Sequence, residues 1–123
     1  CSIAQKAAQA ALEGPQECVG EMVKAFKERH DFVVNALNAI EGVKCLPGDG
    51  TFYAFPDLSE AIAKRDDVNT DVELAEKLLG EAGVAIVPGS AFGTPNHARL
   101  SFATSMEKLK EALARLKKGI EGS

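Results

Sequence analysis

The sequence has little positive charge and no apolar run long enough to cross a membrane. The 14 Lys and Arg residues are outnumbered by 18 Asp and Glu, which gives a formal net charge of −4. An acidic balance argues against a nucleic-acid-binding surface, which requires a basic patch. The first residues also do not follow the pattern of a signal peptide. We therefore expect a cytoplasmic protein that binds neither a membrane nor nucleic acid.

Cysteine is scarce, and its spacing carries no metal or disulfide signature. The three residues are Cys1, Cys18 and Cys45, and no Cys-x-x-Cys pair occurs. An odd number without paired spacing is typical of reduced thiols in an intracellular protein. Neither His30 nor His97 completes a ligand-pair spacing with them, so no metal site is predicted.

Nucleotide-binding motifs are also missing. The segment GSAFG at residues 89–93 has no Gly-Lys-Ser/Thr ending, and Gly-x-Gly-x-x-Gly occurs nowhere. The two glycines of this segment are better explained by a tight turn that brings the backbone close to another group.

The length and the hydrophobic content of the sequence fit one folded domain. Its 123 residues, of which 46% are hydrophobic, are enough for one domain with its own core. The chain starts at Cys1 rather than Met and enters a helical pattern at once, so we expect residues 1–123 to be one domain of a longer protein.

Periodicity predicts helices over residues 2–12 and 16–40, one from Thr70 to residue 82, and one after Thr104. The last two begin with capping boxes, in which a threonine precedes a glutamate by three positions (Glu73 and Glu107). Residues 43–46 and 51–55 are predicted to form a hairpin, and 84–87 and 98–102 two further strands. This order predicts an α+β fold, a small mixed or antiparallel sheet with helices packed on one face.

Arg99 is the residue that stands out, because it lies in a stretch that otherwise has the pattern of a packed strand. A guanidinium matches the two oxygens of a carboxylate and keeps its charge at any working pH. The alternative is a surface arginine on a sheet edge. His97 and Ser101 share its face, but the motif around a catalytic serine is absent. The pattern predicts that His30 is a hydrogen-bonded core residue.

Four segments occur in the order in which a known family has them. They are SIAQ at residues 2–5, GTFYAFPD at 50–57, GVAIVPGSAFG at 83–93 and RLSFA at 99–103. Together they resemble the C-terminal, small domain of a class I/II aminotransferase of the aspartate aminotransferase superfamily, pyridoxal-phosphate fold type I. The resemblance covers essentially the whole chain.

By this resemblance, Arg99 matches the arginine that holds the α-carboxylate of the amino-acid substrate. Phe52 matches an aromatic position on the substrate side of the site. The resemblance further implies a homodimeric parent that moves an amino group from an amino acid to a 2-oxo acid. Its small domain would close over the site and exclude water.

The family's Schiff-base lysine and cofactor-binding residues lie upstream of the SIAQ segment. Under the resemblance this chain therefore holds no catalytic and no cofactor-binding residue. It is expected to be inactive alone and not to bind pyridoxal phosphate covalently.

Two other interpretations stay open. One is a stand-alone module that binds an amino acid or another carboxylate through Arg99. The other is an oligomerisation domain built on the long second helix.

Overall fold

Across residues 1–122 the fold combines five α-helices with a small sheet. The computed structural model of the chain describes residues 1–122. The helices are α1 (Ser2–Glu13), α2 (Glu17–Asn38), α3 (Ser59–Ala63), α4 (Asp71–Lys77) and α5 (Met106–Glu121). The strands are β1 (Tyr53–Ala54), β2 (Val87–Pro88) and β3 (Ala98–Ser101). A π-helical turn, Leu78–Ala82, extends α4, and a 3₁₀ turn, Gly89–Phe92, follows β2.

The sheet is antiparallel, with β3 in its centre. Tyr53 of β1 lies opposite Ser101 of β3, and Val87 of β2 lies opposite Arg99 of β3. The α+β prediction with a small antiparallel sheet is thus confirmed.

The core lies between α2, α5 and the sheet. Leu37 of α2 is fully buried, Phe102 just after β3 is 1% exposed, and Leu116 of α5 is 2% exposed. Helix α5 places the predicted apolar stripe inward, with Leu109, Leu113, Leu116 and Ile120 buried.

The predicted hairpin between residues 43–46 and 51–55 is wrong. Strand β1 pairs with β3 instead, and Lys44 forms a single bridge with Asp57 through two hydrogen bonds of 3.0 and 2.7 Å. The physical reason lies at Cys45. Its backbone carbonyl accepts from Nδ2 of the Asn38 side chain at 2.9 Å, and its N–H donates to Oδ1 of the same side chain at 2.8 Å. A side chain thus occupies the backbone groups that a strand would use.

Two element boundaries also differ from the prediction. Helix α5 is capped by Ser105, whose Oγ accepts from the Lys108 N–H at 3.3 Å, and not by Thr104. The predicted strand at 84–87 pairs only from Val87 onward, because the Val84 N–H donates to the Leu78 carbonyl and closes the π-helical turn.

The cap at Thr70 is confirmed. Its Oγ1 accepts from the Glu73 N–H at 3.2 Å, and the Glu73 carboxylate accepts from the Asn69 N–H at 2.7 Å. This cap fixes the start of α4, and Asp71 is the first residue of that helix.

Helix α1 stands apart, since none of its residues is buried. Ile3 and Leu12 are 80% and 82% exposed. A helix of 12 residues without tertiary packing is marginal in water. In residues 1–122, no helix combines the length and the apolarity that a membrane span requires.

Candidate functional site

The alternation of side chains along β3 places Arg99 away from the core. Ala98 is fully buried and Phe102 nearly so, which fixes one face of the strand as the inner face. Arg99 lies on the opposite face and is half-buried. The antiparallel register sets Arg99 diagonally to Tyr53, which is opposite Ser101.

Two aromatic rings enclose the guanidinium of Arg99. Its Cζ lies 4.4 Å from the ring centre of Tyr53 and 4.4 Å from that of Phe92. Each stack of this kind contributes about 0.5–1 kcal/mol at an exposed site and more where water is excluded. Because the N–H donors of a guanidinium lie in its plane, contact with two ring faces leaves donors available to a ligand.

The charge of Arg99 has no protein partner within residues 1–122. Arg65 and Arg115 each pair with a carboxylate of their own segment, Asp67 and Glu111. Arg99 makes neither an ion pair nor a side-chain hydrogen bond in the same part of the chain, and its described contacts are the two rings. A charge held in place without a partner is suited to an anionic ligand.

The stack continues on both sides of Arg99 as an aromatic row of Phe52, Tyr53, Phe92, Phe55 and His97. The ring centres of Phe52 and Tyr53 are 4.3 Å apart, and Phe55 meets Phe92 edge-on at 6.3 Å. His97 stacks on Phe55 at 5.3 Å. Phe52, Phe55 and Phe92 are 42%, 38% and 46% exposed, so the row forms an open surface.

Phe52 therefore lies next to the Arg99 site but does not stack on the guanidinium, because Tyr53 lies between them. Its ring lines a groove of about 670 Å³ between α2 and the loop at residues 48–52. Val23 and Phe26 of α2 form the other wall. The structure thus places Arg99 and Phe52 on the same surface, linked by Tyr53.

The 3₁₀ turn Gly89–Phe92 is anchored by Asp71. One oxygen of this carboxylate accepts from the Ser90 N–H at 2.7 Å, and the other accepts from the Ser90 hydroxyl at 2.6 Å. Asp71 is 2% exposed, which makes it the buried charged residue of the described chain.

Two opposing effects act on the pKa of Asp71. Burial raises it, and hydrogen bonds from the Ser90 hydroxyl and from the backbone N–H groups of Ser90, Asn96 and Asp71 lower it. The hydrogen bonds prevail, so that the pKa lies below the ordinary value of an aspartate. The residue is therefore charged at neutral pH.

His30, His97 and Ser101 are engaged in local contacts. His30 Nε2 accepts from the Gly48 N–H at 3.0 Å, as expected of a hydrogen-bonded histidine, and its side chain is 14% exposed. His97 Nδ1 lies 3.0 Å from the Pro95 carbonyl, and Ser101 Oγ accepts from the Ala103 N–H. This arrangement gives no support to a nucleophile–base pair.

Pyridoxal phosphate needs a lysine poised for a Schiff base and a set of phosphate ligands. Every lysine of this chain is exposed except Lys77, which is half-buried and pairs with Asp67 and Glu81. The described residues thus do not fit the cofactor by themselves.

Within residues 1–122, no group of three His, Cys, Asp or Glu side chains is placed to hold a metal ion.

The sequence model of the family described as aminotransferase class I and II matches residues 1–116. The chain belongs to this family. Among the relatives of this chain is an aspartate/prephenate aminotransferase from Nitrosomonas europaea. It is 48% identical over 120 residues, which cover 94% of this chain and 30% of the relative. An aspartate aminotransferase from Geobacillus stearothermophilus is 45% identical, with 98% and 30% covered.

Solved structures agree with these matches. The crystal structure of the aspartate aminotransferase from Rhizobium meliloti superimposes with a TM-score of 0.90 at 42% identity, covering 98% of this chain and 31% of that one. The alanine aminotransferase from Pyrococcus furiosus gives 0.87 at 35% identity, with 96% and 29% covered. The chain therefore spans about 30% of the length of the curated relatives it matches.

Sequence reasoning did not identify Tyr53, Phe92 or the Asp71–Ser90 pair as parts of the site. For Tyr53 the available signal was the strand face it shares with Arg99 across an antiparallel pair. For Phe92 it was the aromatic residue between two glycines of a tight turn. Asp71 carried no local signal beyond its place in the first turn of a helix.

Proposed function

We propose that this chain is the small, C-terminal domain of a pyridoxal-phosphate-dependent aminotransferase and that Arg99 binds the α-carboxylate of its substrate. The longer protein would transfer an amino group from an amino acid to a 2-oxo acid. The observation that carries the proposal is the guanidinium of Arg99, stacked between Tyr53 and Phe92 with no carboxylate partner in residues 1–122.

The cofactor supplies the electron sink for labilising the bond at the substrate's Cα, and this chain's residues supply orientation. A bidentate grip by Arg99 fixes the carboxylate and with it the angle of the Cα–H bond. Contact with the rings of Tyr53 and Phe92 restrains the guanidinium and displaces water from it. The charge then acts in a drier environment, where it attracts a carboxylate more strongly.

The remainder of the longer protein is the proposed cover for two apolar surfaces. One is the groove lined by Val23, Phe26 and Phe52, and the other is helix α1, which has no buried residue. A large domain that carries the cofactor lysine would pack on both the groove and helix α1. It would thereby place the cofactor next to the guanidinium of Arg99. Motion of this chain relative to that domain would close the site.

L-Aspartate is the first amino donor to test, because the relatives from Nitrosomonas europaea and Geobacillus stearothermophilus are named for aspartate. The longer protein is proposed to be a homodimer, as the family resemblance implies. A cytoplasmic location likewise stays a prediction from composition and from the unpaired cysteines.

An aminotransferase assay on the longer protein tests the proposal, with L-aspartate and 2-oxoglutarate as substrates and pyridoxal phosphate present. Arg99→Lys keeps the charge and loses the planar fork. We expect kcat/KM to fall on the order of a hundredfold, the equivalent of a charge-assisted hydrogen bond. An Arg99→Lys enzyme with normal kinetics would overturn the carboxylate role.

The same assay on the 123-residue chain alone, without its missing portion, should show no transamination. Titration of this chain with L-aspartate tests the stand-alone alternative. Tight binding that Arg99→Ala abolishes would favour a carboxylate-binding module over an enzyme domain.

A further inference from the structure

Asp71 carries a buried negative charge, and the burial of that charge has to be explained. It is 2% exposed, and burying a carboxylate is unfavourable unless hydrogen bonds compensate for the lost water. Helix α4 does not need it as a cap, because Thr70 caps the N-terminus and Glu73 supplies an acidic group in the first turn. Both of its oxygens accept instead from Ser90, 19 positions further along the chain.

Ser90 is the second residue of the 3₁₀ turn Gly89–Phe92, and backbone hydrogen bonds tie the turn to the residues that follow it. The Gly93 N–H donates to the Ser90 carbonyl at 3.1 Å, and the Thr94 N–H donates to the Gly89 carbonyl at 3.0 Å. Gly93 ends the turn in the left-handed region, with φ at +79°. A displacement of Ser90 therefore displaces Phe92, which is two residues further on.

The two rings on Arg99 are held in different ways. Tyr53 belongs to β1 and is fixed by the pairing of that strand with β3. Phe92 lies at the end of the 3₁₀ turn, and its ring is 46% exposed, so its own burial holds it weakly. The anchor of this turn to α4 is the Asp71–Ser90 pair.

We propose that Asp71 is a positioning residue for the carboxylate site. Through its two hydrogen bonds to Ser90 it holds the turn Gly89–Phe92 so that Phe92 covers one face of Arg99. The guanidinium then keeps its donor edge in one orientation before substrate arrives, which lowers the cost of ordering on binding. This inference rests on the proposed function of Arg99 and adds a residue that does not itself touch the substrate.

The test is a double-mutant cycle in the full-length aminotransferase, with KM for L-aspartate and kcat measured separately. Asp71→Asn places an amide against Ser90 and loses the charge, and Phe92→Leu removes the ring. We expect each to raise KM by about tenfold with kcat changed less than about twofold, because a guanidinium that must first be ordered weakens binding, whereas the bound carboxylate is still oriented by Arg99.

The double variant should be no worse than Phe92→Leu alone, since Asp71 acts through that ring. Glu73→Gln is the matched control. It neutralises another acid in the first turn of the same helix, one whose carboxylate accepts from the Asn69 N–H rather than from Ser90, and it should leave KM unchanged. If Asp71→Asn yields no folded enzyme, Ser90→Ala replaces it in the cycle, because that variant removes the hydroxyl bond and retains the one from the backbone N–H.

Arg99→Lys in the same series separates the two claims. If Arg99→Lys is impaired while Asp71→Asn and Ser90→Ala keep the wild-type KM, the positioning role is wrong and the proposed function stands. Effects of Asp71→Asn and Phe92→Leu that multiply in the double variant would also overturn it, because Asp71 would then act independently of the ring. If Arg99→Lys has wild-type kinetics, the proposed function and this inference both fail.

Discussion

Gly89 and His97 are packed so closely that the backbone leaves no room for a side chain at position 89. The Gly89 N–H donates to the His97 carbonyl at 2.8 Å. A Cβ at Gly89 would lie 2.7 Å from the Cβ of His97 and 2.3 Å from the carbonyl oxygen of Thr94. The turn that carries Ser90 and Phe92 thus needs a glycine at position 89, because only a residue without a side chain can come this close to His97. The two glycines of the GSAFG segment had predicted a close backbone approach of this kind.

Gly89→Ala should therefore destabilise the protein by about 1–3 kcal/mol, the usual cost of overpacking. Thermal unfolding followed by circular dichroism measures the change. Gly20→Ala is the control. It lies at an exposed position of helix α2 with nothing near the added methyl group, so we expect a gain of about 0.5–1 kcal/mol. Equal stability of Gly89→Ala and wild type would contradict the close packing of this turn.

The elements that the sequence predicts well are those whose signal is local. The apolar stripe of α5 and the cap at Thr70 follow from spacing along a few residues. Each depends on contacts within one turn or one strand, so neighbouring residues are enough to determine it.

The features that were missed depend on partners distant in the sequence. Asn38 bonds both backbone groups of Cys45 and so replaces the strand that the hairpin prediction required. The carboxylate of Asp71 can be buried because Ser90, 19 positions away, donates a hydrogen bond to each of its oxygens. Periodicity contains no information on either contact, because both involve polar side chains that loops or caps would carry equally well.

The 123-residue chain should not form a specific covalent adduct with pyridoxal phosphate. Its lysines are exposed, apart from Lys77, which is paired with Asp67 and Glu81. Incubation with the cofactor, reduction by borohydride and peptide mapping by mass spectrometry will detect any adduct. Scattered partial labelling of exposed lysines is the expected result. A single stoichiometric adduct on one lysine would show that the chain holds a cofactor site of its own.

Arg99 should contribute little to folding. Its described contacts are two ring faces of half-buried or exposed residues, so Arg99→Ala should lower the free energy of unfolding of the chain by about 1–2 kcal/mol. Urea unfolding measures this value. Arg115→Ala is a suitable comparison, since that residue forms an exposed pair with Glu111 and its loss should cost less than about 1 kcal/mol. Unfolding of Arg99→Ala at room temperature would make Arg99 a structural residue.

Asp71 should make the protein sensitive to acid. Its pKa in the folded chain lies below the ordinary value of about 4 that it takes when unfolded. A depressed pKa means that the carboxylate stabilises the fold in full above that ordinary value, and that this contribution is lost as the pH falls through the folded pKa. Wild type should therefore exceed Asp71→Asn in Tm at pH 7, and the difference should shrink below about pH 4.

Melting curves of both proteins between pH 7 and pH 2 check this expectation, with Asp49→Asn as the control in an exposed loop. The control should follow the wild-type curve at every pH. A Tm difference between wild type and Asp71→Asn that stays constant down to pH 2 would mean that the hydrogen bonds from Ser90 do not depend on the charge of the carboxylate. The acid sensitivity would then arise elsewhere, with Asp67 as the next residue to test, because its pairs with Arg65 and Lys77 also hold its pKa low.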